Sequence, residues 1–482
     1  MSSNAVETVR EREEAERRAP GWRVTDSGGV WRPMALLAGP VLLEQILILL
    51  VGLVDLWLAG KFLLQPHLAA IGLMSYLLWM IPALFSAISI GATALIARFA
   101  GAGNFPDARR ATNQALLLGA ALSIATMIGL ALAAESLVAA MQFEGEAARL
   151  VLQYLWIVIP FIPAMMIEQI GIACLRGAGN TISGFVAMGI VNVLNTTIGA
   201  GLVTGWGPFP EMGWTGLAWG TAAGYAGGAI AILTMIALGV GGLSLDRSAL
   251  RPDPAILRRL LRVGLPGGLD MLLLVGCHLW FLGIVNALGE LQAAAHGLAV
   301  RIEGLAYVPG VAFQVAASTM AGQYLGAGDV KRARQSVFAN CLVAGLLMSA
   351  AGVLFFLFPG PLTSLFLGPG KDQVAETAIP LLRIVSLSMP FLAIAMVASG
   401  ALRGSGDTRI PLLITLFGFL AVRIPLAYWL AWAEAPLPFG GSIEGWGLAA
   451  VGAWYAMVAD LMVRGTLLAA RFLEGSWSRV EV

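Results

Sequence analysis

The chain has 482 residues, of which 58% are hydrophobic and only 12% charged, and its formal net charge is +1. Soluble domains carry roughly 25% charged residues, so lipid is the expected solvent for most of this chain, and the near-neutral balance gives no footing for nucleic acid. The cysteines Cys174, Cys277 and Cys341 and the histidines His67, His278 and His296 are scattered, which excludes disulfide and metal spacings; no metal or cofactor is expected.

In chain order, residues 1–32 open with MSSNAVETVREREEAERRAP, a mixed-charge stretch without the apolar core of a secretory signal. It reads as a solvated cytoplasmic tail. From Trp31 onward come twelve apolar stretches, near 34–59, 68–96, 111–134, 150–174, 182–204, 214–240, 263–287, 294–322, 336–358, 377–401, 410–432 and 447–471. Most approach the ~20 residues that a spanning helix needs, and the period-2 alternation of a membrane barrel is absent. The expected fold is an all-α integral membrane protein with twelve transmembrane helices.

Lys and Arg concentrate in alternate connections: Arg10, Arg12, Arg17, Arg18 and Arg23 in the tail, then Arg109 and Arg110, Arg176, a cluster at 247–262, Lys331 to Arg334, Arg403 and Arg409, and Arg471. Positive residues stay inside, so both termini are expected in the cytoplasm.

Short sequences recur at nearly constant spacing. CLRGAGNT (174–181) returns as ALRGSGDT (401–408), an offset of 227 (402 − 175). ARFAGAGN (97–104) returns as GQYLGAGD (322–329), with Gly101 matching Gly326, and LAGPVLLEQ (37–45) returns as VGLPGGLDM (263–271), with Pro40 matching Pro266. Six helices separate the copies, so the halves form a parallel repeat. The division is a tail at 1–32, a six-helix lobe at 33–240, a cytoplasmic linker at 241–262, a second lobe at 263–472 and a tail at 473–482. The doubled turns, Arg176-Gly177 with Gly179 and Arg403-Gly404 with Gly406, read as structural cytoplasmic connections. Glycine permits the tight reversal.

Ionisable groups at membrane depth are functional candidates. Glu44 and Asp55 are eleven residues apart, about three turns, and share a face of the first helix. Asp270 is the repeat partner of Glu44. His296, Glu303, Tyr307 and Gln314 follow one another at helical spacing on one face of the eighth helix. Arg301 and Arg423 lie within apolar runs and call for a carboxylate, with Glu303 or Asp270 the expected partner. Asp55, Glu44, Asp270, Glu303 and Glu168 are therefore the candidate ion-coupling acids. Gln45, Tyr76, Asn192, Asn195, His296, Tyr307, Gln314, Arg301 and Arg423 are candidate cavity residues. Each has a structural counterpart reading: Asp55 as a helix cap, Glu303 as a mere counter-charge, His296 as a packing residue, the asparagines as interhelical glue.

GLVDLWLAG (52–60), the two glycine-rich connections, AAH (294–296) and the paired LRGxGxT turns together resemble the multidrug and toxic compound extrusion (MATE) family over about residues 33–470. The resemblance implies a V-shaped, two-bundle antiporter in the bacterial inner membrane. It would expel cationic or amphipathic compounds in exchange for H⁺ or Na⁺, as a monomer. It also singles out Asp55, in the VDxxxAG pattern, and Asn195. Other acids of the family are missing: the matching positions hold Gly199, Leu274 and Leu392. The sodium-coordinating arrangement of some members is therefore not reproduced, and protons are the expected coupling ion. A lipid-linked-substrate flippase on the same plan is the alternative. ATP-driven transport lacks its phosphate loop, since LAGKF and GPGKD miss both the earlier Gly and the Ser or Thr. A membrane-embedded enzyme lacks any catalytic cluster.

Overall fold

The computed structural model describes residues 23–140, 145–246, 251–367, 370, 372–436 and 441–480. Most of the charged tail, 1–22, lies outside them. The described residues form twelve helical rods: α1 Trp31–Phe62, α2 Gln65–Gly101, α3 Phe105–Ala140, α4 Gly145–Gly177, α5 Ile182–Thr204, α6 Trp214–Ala237, α7 Pro254–Asn286, α8 Glu290–Gly326, α9 Val330–Leu357, α10 Asp372–Ser405, α11 Arg409–Ala431 and α12 Ala449–Glu474. Ten are long and apolar enough to cross a membrane, and α10 makes an eleventh across a 56° bend between Ser386 and Met389. The twelfth, α12, is less apolar because it carries Asp460 and Arg464.

These helices are not amphipathic in the manner of soluble ones. On α1, Leu53 is 62% exposed and Trp57 56%, an arrangement that only hydrocarbon solvates well. The rods are apolar nearly all round, as membrane spans are, so they adhere through close backbone approach and polar glue rather than through an apolar stripe. The α5–α6 pair illustrates this. A Cβ on Gly216, Gly220 or Gly224 would stand 2.8, 2.7 or 3.0 Å from backbone atoms of α5. Glycine at these three places sets how near the two helices come. Asn192 of α5 ties α1 by donating to the Leu47 carbonyl at 3.1 Å, and Gln169 of α4 ties α2 by donating to that of Pro82 at 2.9 Å.

Several elements depart from the sequence expectation. α7 begins at Pro254 rather than 263, because the basic end of the linker continues straight into the helix. α4 is interrupted by a 3₁₀ turn at Ile159–Phe161, which contains Pro160. α11 widens into a π turn over Gly418–Arg423. A short helix, Pro359–Phe366, and a two-stranded hairpin, β1 Glu434–Pro436 with β2 Ser442–Glu444, decorate the connections.

The chain forms two compact units, Met1–Arg262 with Gly322–Asp329, and Val263–Ala321 with Val330–Val482. The end of α8 thus belongs to the first unit. There the side chain of Gln323, fully buried, accepts from Val24 N–H and donates to the Gly177 carbonyl, each at 2.9 Å. Val24 is itself buried in a 3₁₀ turn, so the last residues of the expected solvated tail are packed. The linker is clamped to α3: Asn113 donates to Ser244 and accepts from Asp246, Gln114 bridges Arg251 and Asp253, and Arg109 donates to Gly242.

Candidate functional site

In the first unit Arg176, in the last turn of α4, donates through Nη2 to Oε1 of Glu44 on α1 at 2.6 Å. In the second unit Arg403, at the same point of α10, donates to Oδ2 of Asp270 on α7 at 2.5 Å. The partners are separated by 132 and 133 residues respectively. Sequence repetition therefore preserves a buried ion pair twice, once per unit. The glycines serve it locally: Gly179 and Gly406 hold φ of +94° and +95°, conformations that L side chains resist. A Cβ on Gly184 would come within 2.6 Å of the Glu44 carboxylate. The arginines of the LRG turns, expected from sequence to be structural connections, are thus paired to carboxylates, and Glu44 and Asp270 are not free acids.

Asp55 is different. It is 6% exposed on α1 and its neighbours are neutral. With the Asn195 amide nitrogen turned toward it, Asn195 of α5 donates to Oδ1 at 3.3 Å while its oxygen accepts from Thr221 on α6. Thr221 Oγ1 in turn shares a 2.8 Å hydrogen bond with the Tyr154 hydroxyl of α4. Four helices thus converge on one carboxylate that no Lys or Arg neutralises among the described residues. Glu168 of α4 is 3% exposed and also lacks a cation, and its Oε1 finds no hydrogen-bond donor.

The second unit holds a cationic cluster where the sequence suggested a simple pair. Arg423, 2% exposed, donates to Oδ2 of Asp460 at 2.8 Å, and Arg464 engages both oxygens of the same carboxylate at 2.8 Å. The expected partner for Arg423, Glu303 or Asp270, is thereby corrected. Asp270 is taken by Arg403, and Glu303 makes no ion pair among the described residues. Arg423 also lies over the rings of Phe419 and Phe281, with its carbon 4.6 and 5.5 Å from their centroids. Gly418, at the start of the π turn, leaves room for the Asp460 carboxylate.

The four residues of the α8 stripe have unlike surroundings. His296 is buried and takes the Trp454 indole N–H on Nδ1 at 3.1 Å. Glu303 and Gln314 are half-buried, and Tyr307 and Arg301 are exposed. In the first unit Gln45 is half-buried beside the buried Glu44, and Asn192 bonds backbone carbonyls of α1 and its own helix. The side chain of Tyr76 lies outside the described residues. Sequence reasoning missed Asp460, Arg464, Thr221 and Tyr154. An Asp and an Arg four residues apart inside an apolar run were the available signal for the first two; nothing in spacing distinguishes Thr221 or Tyr154.

Comparisons with known proteins place these geometries in a family. The MatE family model matches residues 40–200 and 266–429, one copy in each half. The chain is 28% identical over 443 residues to a probable multidrug resistance protein NorM of Thermotoga maritima, covering 92% of both proteins. It is 26% identical over 422 residues to the multidrug resistance protein MdtK of Pectobacterium atrosepticum, covering 86% of this chain and 91% of that one. Among solved structures, an outward-facing MATE family transporter of the MOP superfamily superposes with a TM-score of 0.84 at 21% identity, over 94% of this chain and 98% of that one. A MOP superfamily transporter from Pyrococcus furiosus, described as having a binding pocket of reverse polarity, gives 0.84 at 22% identity over the same shares. The all-α fold, the duplicated buried pairs and these matches converge: the chain is a multi-pass membrane transporter, not an enzyme, and it belongs to the MATE family.

Proposed function

We propose that this transporter exports cationic or amphipathic small molecules from a bacterial cell across the inner membrane, in exchange for protons, with both termini in the cytoplasm. The observation that carries the reading is the company Asp55 keeps: a buried carboxylate held by Asn195, itself bonded to Thr221, with no cationic side chain paired to it. An unneutralised buried carboxylate is costly, and a proton or a bound organic cation each removes that cost. The two compete for one group, which couples them. Glu44, Asp270 and Asp460 fit such a role poorly, because an arginine already neutralises each.

The cycle follows from that competition. Exposed to the outer, more acidic side, Asp55 takes a proton and the cargo leaves. Exposed to the cytoplasm, it loses the proton and accepts the next cation. The polarity of the unpaired acids favours cationic cargo over the anionic lipid-linked substrates of flippases. The test is uptake of a lipophilic cation into everted vesicles, with proton and sodium gradients imposed separately. Uptake is expected under the proton gradient and not under sodium alone, and Asp55→Asn is expected to remove it. Uptake driven by sodium alone, or a fully coupled Asn variant, overturns the reading.

A further inference from the structure

The first unit contains a second unneutralised acid, and its position relative to Asp55 is not random. Thr221, the partner of Asn195 beside Asp55, lies on α6; Tyr225 is four residues on and Gly228 three more. Residues at i, i+4 and i+7 occupy one helical face. A Cβ on Gly228 would come within 2.7 Å of Glu168 Oε1, so this glycine is what makes room for the Glu168 carboxyl. Tyr225, between them, is within electrostatic range of both Glu168 and Asp55. One stripe of α6 therefore runs from the Asp55 group to the Glu168 group, about 10 Å along the axis at 1.5 Å per residue.

The other charged groups around Glu168 do not neutralise it. Glu44 is within electrostatic range, but it is held by Arg176. α5, which contributes Val191 to the same pocket wall, has no titratable residue along its length. Among the described residues, each of the other deeply buried acids of the spans meets either a guanidinium (Glu44, Asp270, Asp460) or a neutral donor (Asp55, from Asn195). Glu168 Oε1 meets neither. A metal ion is a poor candidate for the balancing charge, because no group of three His, Cys, Asp or Glu side chains gathers among the described residues. A single proton needs no ligand set.

We infer that Glu168 is a second exchangeable proton site, so that each transport cycle moves two protons, one on Asp55 and one on Glu168, past each exported cation. This rests on the proton-antiport reading, and the measurement separates the two. In proteoliposomes with the membrane potential clamped at zero, the logarithm of the steady-state tetraphenylphosphonium gradient is plotted against the imposed pH difference. The slope equals the number of protons exchanged: about two for the native protein, about one for Glu168→Gln, and about two again for Glu168→Asp. A slope of one in the native protein, or an unchanged slope in the Gln variant, overturns the inference while leaving antiport intact. A gradient that ignores pH altogether contradicts antiport itself.

Should Glu168→Gln fail to insert, proton release decides. Detergent-solubilised native protein saturated with tetraphenylphosphonium, in weakly buffered solution at the pH where release is maximal, should release about two protons per chain, and Asp55→Asn about one. Release of one by the native protein and none by the Asn variant rules Glu168 out. A purely structural role for Glu168 would alter stability without altering either count.

Discussion

The buried pairs at the repeated turns permit a quantitative test of what the repeat preserves. Consider Arg403→Met, Asp270→Asn and the double variant. In the Arg403–Asp270 pair the side chains are 8% and 1% exposed. Removing one partner leaves an uncompensated buried group, and for such pairs that costs roughly 3–5 kcal/mol, whereas replacing both with neutral groups is often neutral or stabilising. Each single variant should therefore lose about 3 kcal/mol or more, and the double variant only about 1 kcal/mol, giving a coupling energy of about 5 kcal/mol in the double-mutant cycle. Arg176→Met, Glu44→Gln and their double should behave alike, but by less, because Arg176 is 19% exposed and partly solvated. The assay is denaturant unfolding of purified protein in detergent, followed by tryptophan fluorescence. Additive losses, or singles within 0.5 kcal/mol of the native protein, would refute the assignment of these residues as locked pairs.

Other outcomes follow from single contacts. Asp55→Asn should keep folding and membrane insertion while abolishing proton-driven movement, since the asparagine amide oxygen can still accept from Asn195; an unfolded variant would show the carboxylate to be structural, as would undiminished coupling. Gly220→Val should prevent α5 and α6 from closing and leave little folded protein by size-exclusion chromatography, because even a Cβ there stands 2.7 Å from the Gly199 backbone; a native elution profile would contradict the close approach. Gln323→Leu strands the Val24 N–H and the Gly177 carbonyl, a loss of about 1–3 kcal/mol per buried unsatisfied group, and should speed maleimide labelling of a Val24→Cys reporter severalfold. Unchanged labelling would mean that Gln323 does not hold the tail.

Much of this architecture was legible in the chain because bilayers restrict it so strongly: spans must be helical, apolar and of nearly fixed length. Composition and the apolar runs suffice for that reading, and the offset repeats agree with the two family-model matches, one in each half. The same information failed where partners come from distant helices. The LRG arginines read as inner-face markers, since nothing in the turn sequence indicates a carboxylate more than 130 residues away. Arg423 was matched to Glu303 or Asp270 by depth alone, while its partner Asp460 sits on α12, whose charges made it the least conspicuous span. Glu44 and Asp55, which helical periodicity puts on one face, are both buried. That Glu44 is neutralised and Asp55 is not could only come from three-dimensional packing, as could the Asn195–Thr221–Tyr154 chain.

Competition of proton and cargo for Asp55 can be read from equilibrium binding of a fluorescent lipophilic cation to purified protein as a function of pH. Competition requires affinity to fall as pH drops through the titration of the site, by up to tenfold per pH unit for each proton displaced. Asp55→Asn should weaken binding at high pH and flatten the part of the curve that belongs to this residue. Affinity independent of pH in the native protein, or a pH profile unchanged by the Asn substitution, would contradict the account.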